Sequence, residues 1–228
     1  MTQKLVATGA EIHRSPGYRI GVLPAFGLNT AQEHIQNLPE YFEKYRDEEF
    51  EVTVKLDGVL HTVAWYNDEF YVCGRKTRLK YDHDQPQGDF CQVVKRMGFY
   101  EKLRNFGREI VLQGEFVGPG IKNNRAKYQE KSFLIFDIFD HEKLTYLTAS
   151  DRSNLLHELF GEEIPHVPRV ESGFKIFRHY ADCDSLLKFA DMITMNASPA
   201  EGIVCQMISD PRISFKVISY KYLLEHRL

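Results

Sequence analysis

Apolar and polar residues alternate most sharply between Glu49 and Gly74, where three runs read EFEVTVKL, VLHTVAWY and EFYVCG. A period of two predicts β-strands with one face in a core, and the Asn67-Asp68 step between the second and third runs predicts a hairpin. The same pattern returns in REIVLQGEFVG (108–118) and SFLIFDIF (132–139), separated by GPGIKNNRAKYQEK, whose Gly, Pro and Asn content predicts a loop. Near the C-terminus, EGIVCQMI, SDPR and ISFKVIS read as strand, turn and strand, closed by YKYLLEHRL. Helical spacing of apolar residues appears over Asp89–Arg104, over Ser150–Phe160 with Ser150 or Asp151 as cap, and over Ser185–Met195. Thr30–Arg46 reads as a helix in two pieces, with Thr30 as N-cap and Pro39 as the break. Residues 1–28, rich in Gly and Pro, read as an irregular lead-in. With no repeat or linker in view, the pattern predicts one α+β domain over 1–228, of antiparallel sheets flanked by helices.

Four polar islands interrupt these apolar strands: Lys55-Leu56-Asp57-Gly58, Gly114-Glu115, Glu201-Gly202 and Lys216. A charge inside an apolar strand costs stability unless something compensates it or uses it. Taken singly, Lys55 reads equally as an edge-strand residue or as a nucleophile. Glu115 and Glu201 read as solvent-facing strand positions, and Phe136 as core. Taken together, two lysines and two glutamates suit a phosphate and a divalent metal, with the glycines letting a ligand approach the backbone. A lysine buried beside a second cation is expected to have a depressed pKa and to be nucleophilic.

Composition narrows the partners. The net charge of −3 gives no global attraction for phosphate, so a nucleic-acid partner needs a local patch. Two basic runs offer one: Arg75, Lys76, Arg78 and Lys80, and Lys122, Arg125, Lys127 and Lys131. Each reads either as a phosphate-tracking stripe or as solvated loop charge. Asp82-His83-Asp84 reads as a loop rather than a metal site. No GxxxxGK[ST] or GxGxxG loop is present, so the common nucleotide folds are unsupported. The four cysteines form no CxxC pair, which points to reduced thiols. The N-terminus lacks a signal-peptide core, and no run reaches the roughly 20 apolar residues of a membrane span, so a cytoplasmic protein is expected.

The ordered strings KLDG (55–58), GRK (74–76), QGEFVGPG (113–120), FLIFDIF (133–139), AEGIV (200–204) and SFKVIS (214–219) resemble the motifs of covalent nucleotidyltransferases. Within that superfamily the chain resembles ATP-dependent RNA ligases, of the phage double-strand nick-sealing type and its bacterial relatives. The long GEFVGPG and FLIFDI strings carry the narrower resemblance, and TAQEHIQNLP resembles the family's lead-in helix. The resemblance implies an adenylation domain using ATP and Mg²⁺ or Mn²⁺. It implies Lys55 as the nucleophile that becomes lysyl-AMP, with Glu201 and Lys216 as further catalytic residues. It places Val54, Asp57, Gly58, Arg75, Glu115, Phe136 and Lys216 on the nucleotide, with Phe136 stacked on adenine and Glu115 at the ribose, and Glu115 and Glu201 on the metal.

Two positions depart from the pattern. Leu60 stands where many ligases carry a polar residue, and Ile218 stands where phage-type members often carry a second lysine, Lys221 being the next available. No segment reads as an appended OB-fold, so the chain reads either as a minimal catalytic domain or as one whose helper is missing or is supplied by another protein. The implied substrate is RNA, as a nicked duplex or a hybrid, with DNA strands left open. A DNA ligase, a GTP-using capping guanylyltransferase and a binding module that lost strand joining remain the alternatives.

Overall fold

The computed structural model describes residues 19–22 and 32–227. Its strands are β1 (Arg19–Val22), β2 (Glu33–His34), β3 (Phe50–Lys55), β4 (Val59–Tyr66), β5 (Glu69–Gly74), β6 (Thr77–Leu79), β7 (Ile110–Val117), β8 (Ser132–Asp140), β9 (Thr145–Tyr146), β10 (Arg169–Phe174), β11 (Thr194–Met195), β12 (Ser198–Pro199), β13 (Gly202–Met207) and β14 (Ser214–Ile218). The helices are α1 (Tyr41–Lys44), α2 (Asp89–Arg96), α3 (Phe99–Phe106), α4 (Ala149–Phe160), α5 (Ile176–His179), α6 (Cys183–Met192) and α7 (Tyr220–His226).

Two sheets dominate. One runs β1-β6-β5-β4-β7-β8-β9 and the other β10-β3-β13-β14-β2. The expected α+β architecture of antiparallel sheets with flanking helices is observed, with β2–β14 as a parallel pair. Helices α2, α3 and α4 cover the outer face of the first sheet, where Val94, Phe99, Leu103, Leu112, Phe133, Ile135 and Leu156 are buried. Helices α5 and α6 cover the second over Phe50, Val52, Phe177, Leu186, Ile203 and Phe215. The opposite faces of the two sheets line a common cavity.

The β4–β5 hairpin forms where Asn67-Asp68 predicts it, both residues taking positive φ (50° and 58°) as a two-residue turn requires. Elsewhere tertiary pairing overrode local pattern. Over Thr30–Arg46 the described residues give β2, a 3₁₀ turn (Ile35–Asn37) and the single turn α1. Thr30 lies outside the described residues. Glu33 and His34 pair with Phe215 and Lys216, which commits this backbone to a strand. The helix expected over Asp89–Arg104 is two, because Gly98 takes a left-handed φ of 68° between α2 and α3. Helix α4 is capped by Thr148, whose Oγ1 accepts from the Asp151 amide at 3.2 Å, rather than by Ser150 or Asp151. Helix α6 starts earlier than expected, from an Asp182–Ser185 capping box, and Thr194–Met195 leaves it to pair with β12. Strands β6 and β10 lie in stretches too short or too polar to show alternation.

The glycines beside the two glutamates serve the sheets rather than a ligand. A Cβ on Gly114 would sit 2.5 Å from the Leu134 carbonyl, and one on Gly202 would sit 2.0 Å from that of Val217.

Candidate active site

Strand β3 presents Glu51, Thr53 and Lys55 on one face by its period of two, opposite Gln206, Val204 and Gly202 of β13. Across from them, β7 and β8 contribute Glu115, Phe136 and Asp137. A bulge makes the last two possible. Gln113 pairs with Asp137 and Gly114 with Ile135, so Phe136 is the extra residue. Ile135 and Ile138 consequently both reach the helix-covered core, three positions apart, while Phe136 and Asp137 both reach the cavity.

The cavity holds about 310 Å³. Its lining includes Val54, Lys55, Gly58, Arg75, Glu115, Phe136 and Lys216 from the sequence-derived set. A second, more open hollow of about 400 Å³ shares Lys55 and Lys216 with the first and adds Glu201, His34, Ile218 and Tyr220. The two lysines and Glu201 therefore stand at the junction between an enclosed pocket and the surface.

Lys55 is half-buried rather than buried, and its Nζ lies 2.7 Å from Glu201 Oε2. Its compensation is an ion pair, where desolvation had been expected. Burial, and then the Lys55 charge, lowers the Lys216 pKa. Burial pushes the Glu115 carboxyl up to about 7, against the attraction of Lys55. Its Oε2 is buried without a hydrogen-bond partner. An orphaned carboxylate oxygen near Glu201 fits a hydrated divalent cation held through its waters. Among the described residues no group of three or more His, Cys, Asp or Glu side chains could grip a bare ion. Asp82, at the Asp82–Asp84 triplet, instead accepts the amides of Asp84 and Gln85, closing a local turn.

Asp57 does not line the pocket. Its carboxylate accepts from Tyr222 Oη at 2.6 Å, Arg125 Nη1 at 2.7 Å and Lys122 Nζ at 3.2 Å. Burial would raise this carboxyl, but the bonds from Tyr222, Arg125 and Lys122 hold it below the usual carboxylate range. Two of the four loop cations are thus committed to Asp57, and Lys131 pairs with Asp89 at 2.6 Å. In the other basic run, Arg78 pairs with Glu69, while Arg75, Lys76 and Lys80 are exposed. Lys221 is exposed and lines neither hollow, so it does not stand in for a lysine at Ile218.

Sequence reasoning missed the deep end of the cavity. Arg152 of α4 is 1 % exposed and donates to Glu51, to Gln206 Oε1 at 3.0 Å and to His166 Nε2 at 3.1 Å. Glu51 also accepts from Arg169 at 2.8 Å, and Gln206 donates to Asp137 at 2.9 Å. Burial, then the Arg152 charge, lowers the His166 pKa to about 4. The available signal was Glu51 on the same strand face as Lys55. Nothing local marks Arg152, which sits in an otherwise amphipathic helix.

Residues 48–222 match the model of the RNA ligase family. The chain belongs to that family. Solved structures of RNA ligase from Naegleria gruberi are similar to it. A mutant solved with ATP and Mn is 32 % identical with a TM-score of 0.83, covering 93 % of this chain and 62 % of that one. A mutant with AMP and Mn is 34 % identical with a TM-score of 0.83, covering 92 % and 61 %. The ligase with PPi is 32 % identical with a TM-score of 0.83, covering 99 % and 64 %. The chain thus spans about three fifths of the length of these ligases. No curated protein matches it. As a family member it carries the shared fold. No described helix is long and apolar enough to cross a membrane.

Proposed function

We propose that residues 1–228 form one adenylyltransferase domain acting as an ATP-dependent RNA ligase through lysyl-AMP. The observation that carries this is the meeting of Lys55, Lys216, Glu201 and Glu115 at the mouth of a pocket walled by Phe136. In the first step Lys55 Nζ sheds a proton, for which Glu201 Oε2 is the acceptor at 2.7 Å, and attacks the α-phosphorus of ATP. The N–P bond forms as the bond to pyrophosphate breaks. Lys216 neutralises charge on the α-phosphate, Phe136 stacks on adenine, and Glu115 meets the ribose or the waters of the metal. Bound Mg²⁺ or Mn²⁺ would screen the phosphate charge. Displacement at phosphorus needs little beyond such positioning and neutralisation.

A polynucleotide 5′-phosphate then takes the AMP from Lys55, and a 3′-hydroxyl displaces AMP to form the phosphodiester. The strings at 114–120 and 133–139 support RNA strands as substrate. With two loop cations held on Asp57 and a hydrophobic Leu60 beside the pocket, a helper protein would supply part of the strand grip. The reaction is cytoplasmic in this reading.

The test is incubation with Mg²⁺ and ATP labelled at the α-phosphate, without nucleic acid, followed by a denaturing gel. Acid-labile label is expected on the wild type and none on Lys55→Ala. Label from GTP instead would move the reading to capping chemistry. No label from either nucleotide would leave a binding module.

A further inference from the structure

Strands β3 and β14 are not neighbours. Each is antiparallel to β13, so they run in the same direction and end at the same edge of the sheet. Gly202 marks that edge, pairing with Lys55 on one side and Ile218 on the other. Past the strand ends, Asp57 and Tyr222 meet at 2.6 Å.

The remaining contacts make this a cross-brace. Ser219 Oγ donates to Asp191 Oδ1 at 2.7 Å and accepts the Tyr222 amide at 3.0 Å, fixing the first turn of α7. The Ser219 amide donates to the Glu201 carbonyl at 3.0 Å, tying the same turn to the residue that pairs with Lys55 Nζ. Arg125 Nη1 lies 2.7 Å from Asp57 and 3.2 Å from Tyr222 Oη, closing a three-membered cluster. Arg125 comes from a loop in which Lys122, Asn123 and Asn124 all take positive φ. Non-glycine residues adopt that conformation in succession only when surroundings impose it. Asn124 supplies part of the restraint through paired bonds with Tyr128, and the Asp57 carboxylate supplies another part.

We infer that Tyr222 and Arg125 are positioning residues for Lys55, acting through Asp57 to hold the turn after the nucleophile in register with the strand carrying Lys216. This rests on Lys55 being the nucleophile. The reason is geometric. In-line attack requires the lysine amine and the phosphate-binding lysine at a fixed separation, and a small misplacement is costly. Tyr222 is not among the residues singled out from sequence and reaches the turn across 165 positions of chain, and Arg125 is singled out there only as a phosphate-tracking cation.

The decisive experiment is single-turnover formation of lysyl-AMP by the full chain at saturating ATP and Mg²⁺, comparing wild type, Tyr222→Phe, Arg125→Ala and Arg125→Lys. Tyr222→Phe is expected to lower the rate constant about tenfold, with the ATP half-saturation and the final labelled fraction within twofold. Arg125→Ala should fall similarly, and Arg125→Lys should recover part of the loss. A purely structural role would instead lower the labelled fraction at an unchanged rate constant, and that result, or no change at all, overturns the inference. Hydrogen exchange at the Leu56, Asp57 and Gly58 amides is the second measurement and needs no activity. Exchange faster in Tyr222→Phe supports the brace, and exchange unaltered overturns it, even if wild-type labelling fails and Lys55 loses its assigned role.

Discussion

The two ends of the cavity both hold cations and carboxylates, in opposite states of compensation. At the deep end, Arg152, Glu51, Gln206 and His166 satisfy one another, and the exposed Arg169 adds a further bond to Glu51. At the mouth, Lys55 has a single carboxylate partner, Lys216 is held near a second cation, and Glu115 keeps an oxygen with no partner. Closing every donor and acceptor favours rigidity, because an unpaired buried charge is expensive. Leaving charges half-compensated costs stability and keeps them available to a substrate. The contrast separates a structural floor from a reactive rim within one pocket.

Breaking the floor should give the largest effect. Arg152→Ala leaves Asp137 buried without its cation and Glu51 with only the exposed Arg169, and is expected to cost about 3–5 kcal/mol in urea unfolding. A loss below about 1 kcal/mol would mean that the floor is no more coupled than the rim. At the rim the sign should reverse. With Glu115 at about 7, the folded and unfolded states are both protonated below about 4.5. Between about 4.5 and 7 the unfolded chain releases a proton that the folded chain keeps, so stability falls as pH rises. Glu115→Gln removes this loss and is expected to gain up to ~3 kcal/mol over wild type at pH 8 relative to pH 4. Unfolding curves at the two pH values check it, and a pH-independent difference would place Glu115 in a solvated setting. Phe136→Ala should weaken ATP binding by about 1–3 kcal/mol, read by calorimetry, as expected for an aromatic face under a base. The smallest change in stability is expected for Lys55→Ala, within about 1 kcal/mol of wild type, since the pair with Glu201 stays partly open to solvent, which screens it. That variant should nonetheless lose all labelling, which puts the two ends of the cavity at opposite corners of a stability–activity plot.

Strands β3, β4, β5, β7, β8, β13 and β14 were legible because each carries its own alternation, and those strands hold most of the pocket. The rim was legible for the same reason: Lys55, Glu115, Glu201 and Lys216 interrupt apolar strands, and an interruption is visible in one dimension. Helix ends were less legible. Thr148 and Ser150 are both competent caps, and only the backbone path selects between them.

By itself the sequence determined which strands carry polar interruptions, which residues those are and the family pattern they follow. Tertiary structure alone decided that burial lowers the Lys216 pKa, that Lys55 is paired with Glu201, and that Asp57 faces Tyr222 and Arg125 instead of the pocket. It also decided that Arg152 closes the floor onto Glu51. The physical reason is range. Period and propensity act over a few neighbouring residues, whereas burial and charge pairing depend on groups brought together from across the chain.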